Sequence, residues 1–357
     1  MDPKNGTGSD GSRSSGVAPP SPLRVSHMVA LLLSAALLAT VVFAQTSGNS
    51  SVPTNSSAVD TSTLSPTAVY NGSQTFSGTS HIRLRIANGG AGQSGLVQAL
   101  ADAFIDAMVS RGSAPFQVGW YLGDTTQSLD YMARRQADVA ITYNAAAENA
   151  SLEAGISVER VYGFRDHFVF VGPPSNPANV SSSDTILQAF QKIVKSGADT
   201  AAANPTRFLS RFDKSATNIK ESEIFVALGQ VPWAYAYSTW YHQYPRFPLQ
   251  AVAAAATLGE YTLTDRGTLL SSPSTVTGAL RNFICASDDE SDRLLNPAHF
   301  LRNAQCLDDG IAKAFMVWLV SANGGQGVIA SFKKNGKVLY SKAPGFEGGE
   351  NAAGCTF

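Results

Sequence analysis

The stretch HIRLRIANGGAGQSGLVQAL, residues 81–100, decides the fold class. Ile82, Leu84 and Ile86 alternate with Arg83 and Arg85, the period-two pattern of a strand with one buried face. Past the glycines, Leu96, Leu100, Phe104 and Met108 recur every fourth residue, with Val97, Ala101 and Ile105 beside them. That apolar stripe predicts a helix opening at Ser94 or Gly95. A strand feeding a helix through a glycine turn is the unit of an α/β protein. GAGQSG also has the GxGxxG form of dinucleotide-binding turns, and Asp124 ends the next strand, where a ribose-binding acid would stand. A lone fingerprint is weak, so the choice between a nucleotide and another anion rests on the rest of the chain.

The same unit recurs downstream. PFQVGWYLG (115–123) reads as a strand ending at Gly123-Asp124-Thr125-Thr126, with a helix after it that Asp124 caps. ADVAITYN (137–144) and HFVFVGP (167–173) read as buried strands. FLSRF (208–212) runs into the polar turn Asp213-Lys214-Ser215-Ala216-Thr217 and a helix around 221–228. AVAAAATLG (251–259) is a small-residue helix leading into EYTLTDRGTLL, and a last helix covers 310–320. Strand ends that meet helix starts through glycines or hydroxyls expose unpaired amides and the positive end of a helix dipole. Several such junctions converging would hold an anion with few formal charges.

Composition narrows the partners. The 357 residues carry 26 Lys and Arg against 27 Asp and Glu, with no basic run, so nucleic acid is not an expected partner. A polar leader (1–27) precedes the uncharged MVALLLSAALLATVVFA (28–44). That segment reads as a signal peptide or as an uncleaved anchor, the only expected link to a membrane; either places the folded part outside the cell. Residues 45–80, rich in Ser, Thr, Gly and Asn, read as a disordered linker. Sequons begin at Asn49, Asn55, Asn71, Asn149 and Asn179, in keeping with a eukaryotic secretory route. The cysteines are Cys285, Cys306 and Cys355. The preferred bridge is Cys285–Cys306, across a short loop worth about 3 kcal/mol, though spacing alone does not fix the pairing.

At this point the chain resembles the bacterial tungstate-binding proteins, type II periplasmic-binding folds related to molybdate and sulfate binders. AVAAAATLGEYTLTDRGTLL is similar to that family's signature, and YTLTDRGT is its specific part. RQADVAITYN, VYGFRDHFVFVGPPSNPANV, SRFDKSATNIKE, the Trp240-Tyr241 pair and LLNPAHF resemble further family segments in the same order, from about Arg83 to Gly336. The resemblance implies an α/β protein of two lobes joined by two crossing strands: residues 81–165 with 296–357, and 166–295. It implies a non-catalytic, monomeric binder of a small oxyanion, without cofactor. By position, Arg211 would face the anion, with Ser210, Ser215 and Thr217 as donors and Arg266 and Thr268 in support. Asn88, Gly90, Gln93 and Ser94 would serve from the first turn, and Thr125 and Thr126 from the second.

The departures matter. The family's threonines and serine in the first turn are replaced by Asn88-Gly89-Gly90-Ala91, and Asp124 places a carboxylate in the second. A scaffold that has lost its ligand, or a binder of an organic solute using the Trp233–Phe247 aromatics, remain alternatives. Arg211 could instead pair with Asp213 or Glu221, and Asp265-Arg266 could be an internal ion pair. No GxSxG, Walker A, HExxH or CxxC pattern occurs, and the histidines lack metal-ligand spacing. The later motifs favour the anion over the nucleotide for GAGQSG.

Overall fold

The computed structural model of the chain describes residues 64–77, 81–235 and 237–355. The leader, the apolar segment 28–44, Asn49 and Asn55 lie outside the described residues. Among those described, no helix is long and apolar enough to cross a membrane.

The chain runs through β1 (Ala68–Tyr70), β2 (Ile82–Asn88), α1 (Gly90–Ser94), α2 (Leu96–Val109), β3 (Gln117–Leu122), α3 (Thr125–Ala133), β4 (Val139–Thr142) and α4 (Ala145–Glu153). The long β5 (Ser157–Gly172) follows. Next come α5 (Ile186–Gly197), β6 (Phe208–Ser210), α6 (Ala216–Ala227), β7 (Tyr241–Gln243) and α7 (Pro248–Leu258). After these lie β8 (Tyr261–Asp265), α8 (Arg266–Ser271), α9 (Ser274–Thr277) and β9 (Arg281–Cys285). The chain returns through β10 (Leu295–Asn303), α10 (Asp309–Leu319) and α11 (Gly325–Ser331). A small hairpin, β11 (Lys333–Lys334) with β12 (Lys337–Val338), precedes β13 (Ser341–Lys342).

Hydrogen bonding orders the strands β1-β3-β2-β4-β10-β5-β8-β6-β7, with β9 and β13 also on β5. β2 lies parallel to β3 and β4, and β6 parallel to β7 and β8, as strand–helix–strand units require. β10 returns antiparallel between β4 and β5. This is the α/β, two-lobed type II binding-protein fold, and β5 and β10 are its crossing strands.

The core changes along those two strands. Phe164 packs with Phe104, Phe300, Phe315 and Trp318, whereas Phe168 and Phe170 pack with Phe190, Phe208, Phe225 and Tyr261. Leu294, just ahead of β10, joins the second cluster, and Ala298 and Phe300 on β10 join the first. Each buried aromatic or aliphatic side chain contributes about 1.5–3 kcal/mol. The polar residues Asp166, His167 and Asn296 occupy the changeover.

Two expectations are corrected, and a third is met with an addition. The linker expected over 45–80 is structured in part, because Ala68, Val69 and Tyr70 pair with Trp120, Gly119 and Val118, and Tyr70 is buried in the first core. The helix expected to open at Ser94 or Gly95 is α2, with Gly95 (φ +97°) as its N-cap, and the short α1 before it was not foreseen. The disulfide joins Cys285 to Cys355, not Cys306, which is a free thiol among the described residues. The segment after β13 carries Cys355 back to β9, with the Gly354 amide donating to the Ala286 carbonyl at 2.9 Å. Of the remaining sequons, Asn149 and Asn179 are exposed and Asn71 is partly buried.

Candidate functional site

Two turns of the first lobe meet because both carry glycine. A Cβ on Gly89 would lie 3.0 Å from the Gly123 carbonyl oxygen. Asn88 fixes the first turn from beneath: its Nδ2 donates to the Ile141 carbonyl (2.9 Å) and its Oδ1 accepts from the Gly92 amide (2.9 Å). Gly92 lies against the Trp120 indole, where a Cβ would come within 2.1 Å of Cε2. The GxGxxG spacing thus serves packing and the left-handed Gly95. Asp124 is the N-cap of α3 in a capping box with Gln127, as its position in the turn implies.

The second lobe contributes the turn between β6 and α6. Ser215 caps α6 by accepting from the Asn218 amide at 3.3 Å. Phe212 and Lys214 take left-handed backbones (φ +44° and +64°), which bends the chain sharply around Arg211. Beneath the turn, Ser210 donates to the fully buried Glu221 and accepts from the Tyr241 hydroxyl at 2.9 Å. Burial pushes Glu221 up to about 7.

Between these turns lies a cavity of about 430 Å³. Asn88, Gly90, Gln93 and Thr125 line it from one side, and Arg211, Ser215 and Thr217 from the other. Other expected residues do not reach it. Ser94 bonds the Ala91 carbonyl and the Tyr340 hydroxyl. Thr126 is exposed. Ser210 is occupied under the turn, while Arg266 donates to the carbonyls of Val338 (3.2 Å) and Gly354 (3.4 Å). Thr268 is held by Asp265, through its amide at 2.8 Å and its hydroxyl at 2.6 Å, as the first turn of α8.

Arg211 faces the cavity and is only 5% exposed, yet its guanidinium pairs with Asp213, Nε to Oδ2 at 3.0 Å. The expected pairing with Asp213 is therefore present on a residue that also lines the cavity.

Sequence reasoning missed the acids of the wall. Asp166, Asp213 and Asp265 line the cavity with Asp124. Asp166 accepts from the His167 amide (2.8 Å) and from Asn296 Nδ2 (2.9 Å). Burial, reinforced by the neighbouring Asp265 carboxylate, pushes Asp166 up to about 8. Burial also raises Asp124, and the charge of Asp213 across the cleft adds to the shift. The available signal was Asp166 itself, an acid just ahead of the apolar run HFVFVG. Tyr143 and Tyr340 complete the inner wall.

The chain is similar to several binding proteins. A model of the PBP superfamily domain matches residues 52–323. A Haloferax volcanii protein, provisionally described as the anion-binding protein of an ABC transporter, is 28% identical over 280 residues, covering 73% of this chain and 75% of its own. A crystal structure of a periplasmic protein provisionally described as metal-binding is 50% identical (TM-score 0.73), covering 78% of this chain and 99% of that one. The tungstate-binding protein TupA from Desulfovibrio alaskensis G20 is 25% identical (TM-score 0.58), covering 72% and 98%. With crossing strands, an interlobe cavity and a domain match over most of its length, the chain belongs to the PBP superfamily of non-catalytic binding proteins.

Proposed function

We propose that this chain is an extracellular solute-binding protein whose lobes, residues 81–165 with 296–357 and 166–295, close on a small oxyanion of the tungstate, molybdate or sulfate type. The observation that carries this reading is Arg211, a buried guanidinium directed into the cavity beside the start of α6. Ala216 and Thr217 line the cavity at the start of α6, while the Ser215 amide donates to Asp213 Oδ1 at 3.1 Å, and Gly90 and Thr125 line it from the other lobe. A buried anion needs this kind of donor shell, since each unpaired oxygen costs several kcal/mol. Relatives described as anion- or tungstate-binding support the same class. Closure about β5 and β10 would couple binding to a change of shape.

Calorimetry with tungstate, molybdate, sulfate and phosphate tests it. At least one anion binds the native chain, and Arg211→Ala weakens that binding at least tenfold, the loss of a charged hydrogen bond of about 1.5–3 kcal/mol. Silence from every anion, with the variant indistinguishable from its parent, defeats the reading.

A further inference from the structure

The wall of the cleft is more acidic than a site for a bare dianion needs. Four carboxylates, Asp124, Asp166, Asp213 and Asp265, line it against two guanidiniums, Arg211 and Arg246. Asp213 already neutralises Arg211, and Arg246 is exposed at the mouth. The acids fall into two groups: Asp213 sits on the Arg211 guanidinium and accepts from the Ser215 amide at 3.1 Å, with its charge felt at Asp124. The other two, Asp166 and Asp265, lie at the crossing strands beside Asn296, Tyr143 and Tyr340, with Asp265 close enough to raise the cost of charge on Asp166. The donors, Arg211 and the first turn of α6, belong to the turn that carries Asp213 and not to the crossing strands. There Thr217, only 5% exposed, lines the cavity.

Size and surface add a second argument. About 430 Å³ is the room of on the order of a dozen waters at ~30 Å³ each, more than one tetrahedral oxyanion displaces. Phe168, Phe247, Pro245 and Pro248 give part of the wall a carbon surface, which an inorganic ion does not use.

We propose that the ligand is a small organic acid with its own hydrogen-bond donor: an acidic head held by Arg211 and the start of α6, and a hydroxyl or ammonium group a few bonds away that is received by Asp265 and Asn296. This rests on the anion-binding reading and sharpens it. The acid head takes the donor-rich end, while the carboxylates, repulsive to a bare dianion, become acceptors for the other end. Asp166 supports the arrangement, since its proton at neutral pH lowers the charge beside Asp265.

The test is a series with one head group. Methylphosphonate, hydroxymethylphosphonate and aminomethylphosphonate are titrated into the native chain at neutral pH, with tungstate and sulfate alongside. The expected result is at least tenfold tighter binding of one or both donor-bearing phosphonates than of methylphosphonate, and whichever binds tighter identifies hydroxyl or ammonium. Asp265→Asn, which keeps the cap on α8, erases that advantage. Equal affinity for the three phosphonates, or tungstate tighter than all of them, overturns this inference and leaves the anion reading standing. If no anion of any kind binds, the anion reading itself falls and takes this one with it. The series on the native chain decides the matter even where the variant does not fold.

Discussion

Asp166 and Asn296 face each other across the two crossing strands, the Asn296 amide donating from Nδ2 to Asp166 Oδ2 at 2.9 Å. The pair stands where the apolar core passes from one lobe to the other, and it borders the cavity. One contact therefore belongs both to the hinge and to the binding wall.

Its ionisation gives the first prediction. Asp166 titrates at about 8 in the folded chain against an ordinary 3.8. A raised carboxyl contributes stability that is complete below the unfolded value and lost as pH rises through the folded one. Asp166→Asn removes that loss, and a flipped Asn296 amide can still pair with the new side chain. Urea denaturation between about pH 5 and 8 should show the variant gaining on the native protein as pH rises. A difference that stays flat with pH would show that Asp166 is not held protonated.

The Gly92 and Trp120 contact gives the second. Gly92→Ala places a methyl inside the indole and should destabilise by about 1–3 kcal/mol, as overpacking does. Gly90→Ala, with nothing within 4 Å of its Cβ, should fold within about 0.5 kcal/mol of the parent. Thermal melting of the two variants separates a packing role for GAGQSG from a role in ligand contact. Equal melting temperatures would refute the packing account.

These residues show what the sequence made legible. Period-two and period-four patterns are local, so strands such as Ile82–Asn88 and the stripe of α2 could be read directly. The turn around Arg211 was legible because a strand end, a polar run and a helix start follow one another within ten residues. The start of α1 was not, because GGAGQS has poor helix propensity and is fixed by Trp120 and Asn88 from elsewhere in the fold. Asp166 and Asp265 became wall residues only when β5, β8 and β10 were brought side by side. Arg266 pointed the other way for a similar reason: its carbonyl partners lie 72 and 88 residues away.

The tail supplies the third prediction. Cys355 closes a loop of 70 residues onto Cys285, and the Arg266 guanidinium holds the same segment at Gly354. Replacing both cysteines by serine should cost about 2–4 kcal/mol, mainly by freeing the unfolded chain. Cys306→Ser should cost less than about 1 kcal/mol, since its thiol makes only weak bonds to the Asn303 and Asp138 carbonyls. Non-reducing denaturation curves compare them, and a larger loss at Cys306 would reverse the assignment.

Asp124 supplies the last. It caps α3 through the Gln127 amide at 2.8 Å, lines the cavity, and is raised by burial with help from Asp213 across the cleft. Asparagine caps a helix as well as aspartate does, so Asp124→Asn should leave stability within about 0.5 kcal/mol. It removes a carboxylate from the cavity wall, and like charges within one cleft oppose binding by on the order of 1–2 kcal/mol at an effective dielectric of about 20. Discounted for the open cleft, the expectation is a gain of about three- to tenfold in sulfate or tungstate affinity at neutral pH. The gain should shrink as pH falls and Asp124 takes up its proton in the native chain. Titrations of both proteins at neutral and mildly acidic pH measure this directly. An affinity that drops on substitution would mean that Asp124 receives a donor from the ligand, and would move the acceptor end of the cleft to the mouth.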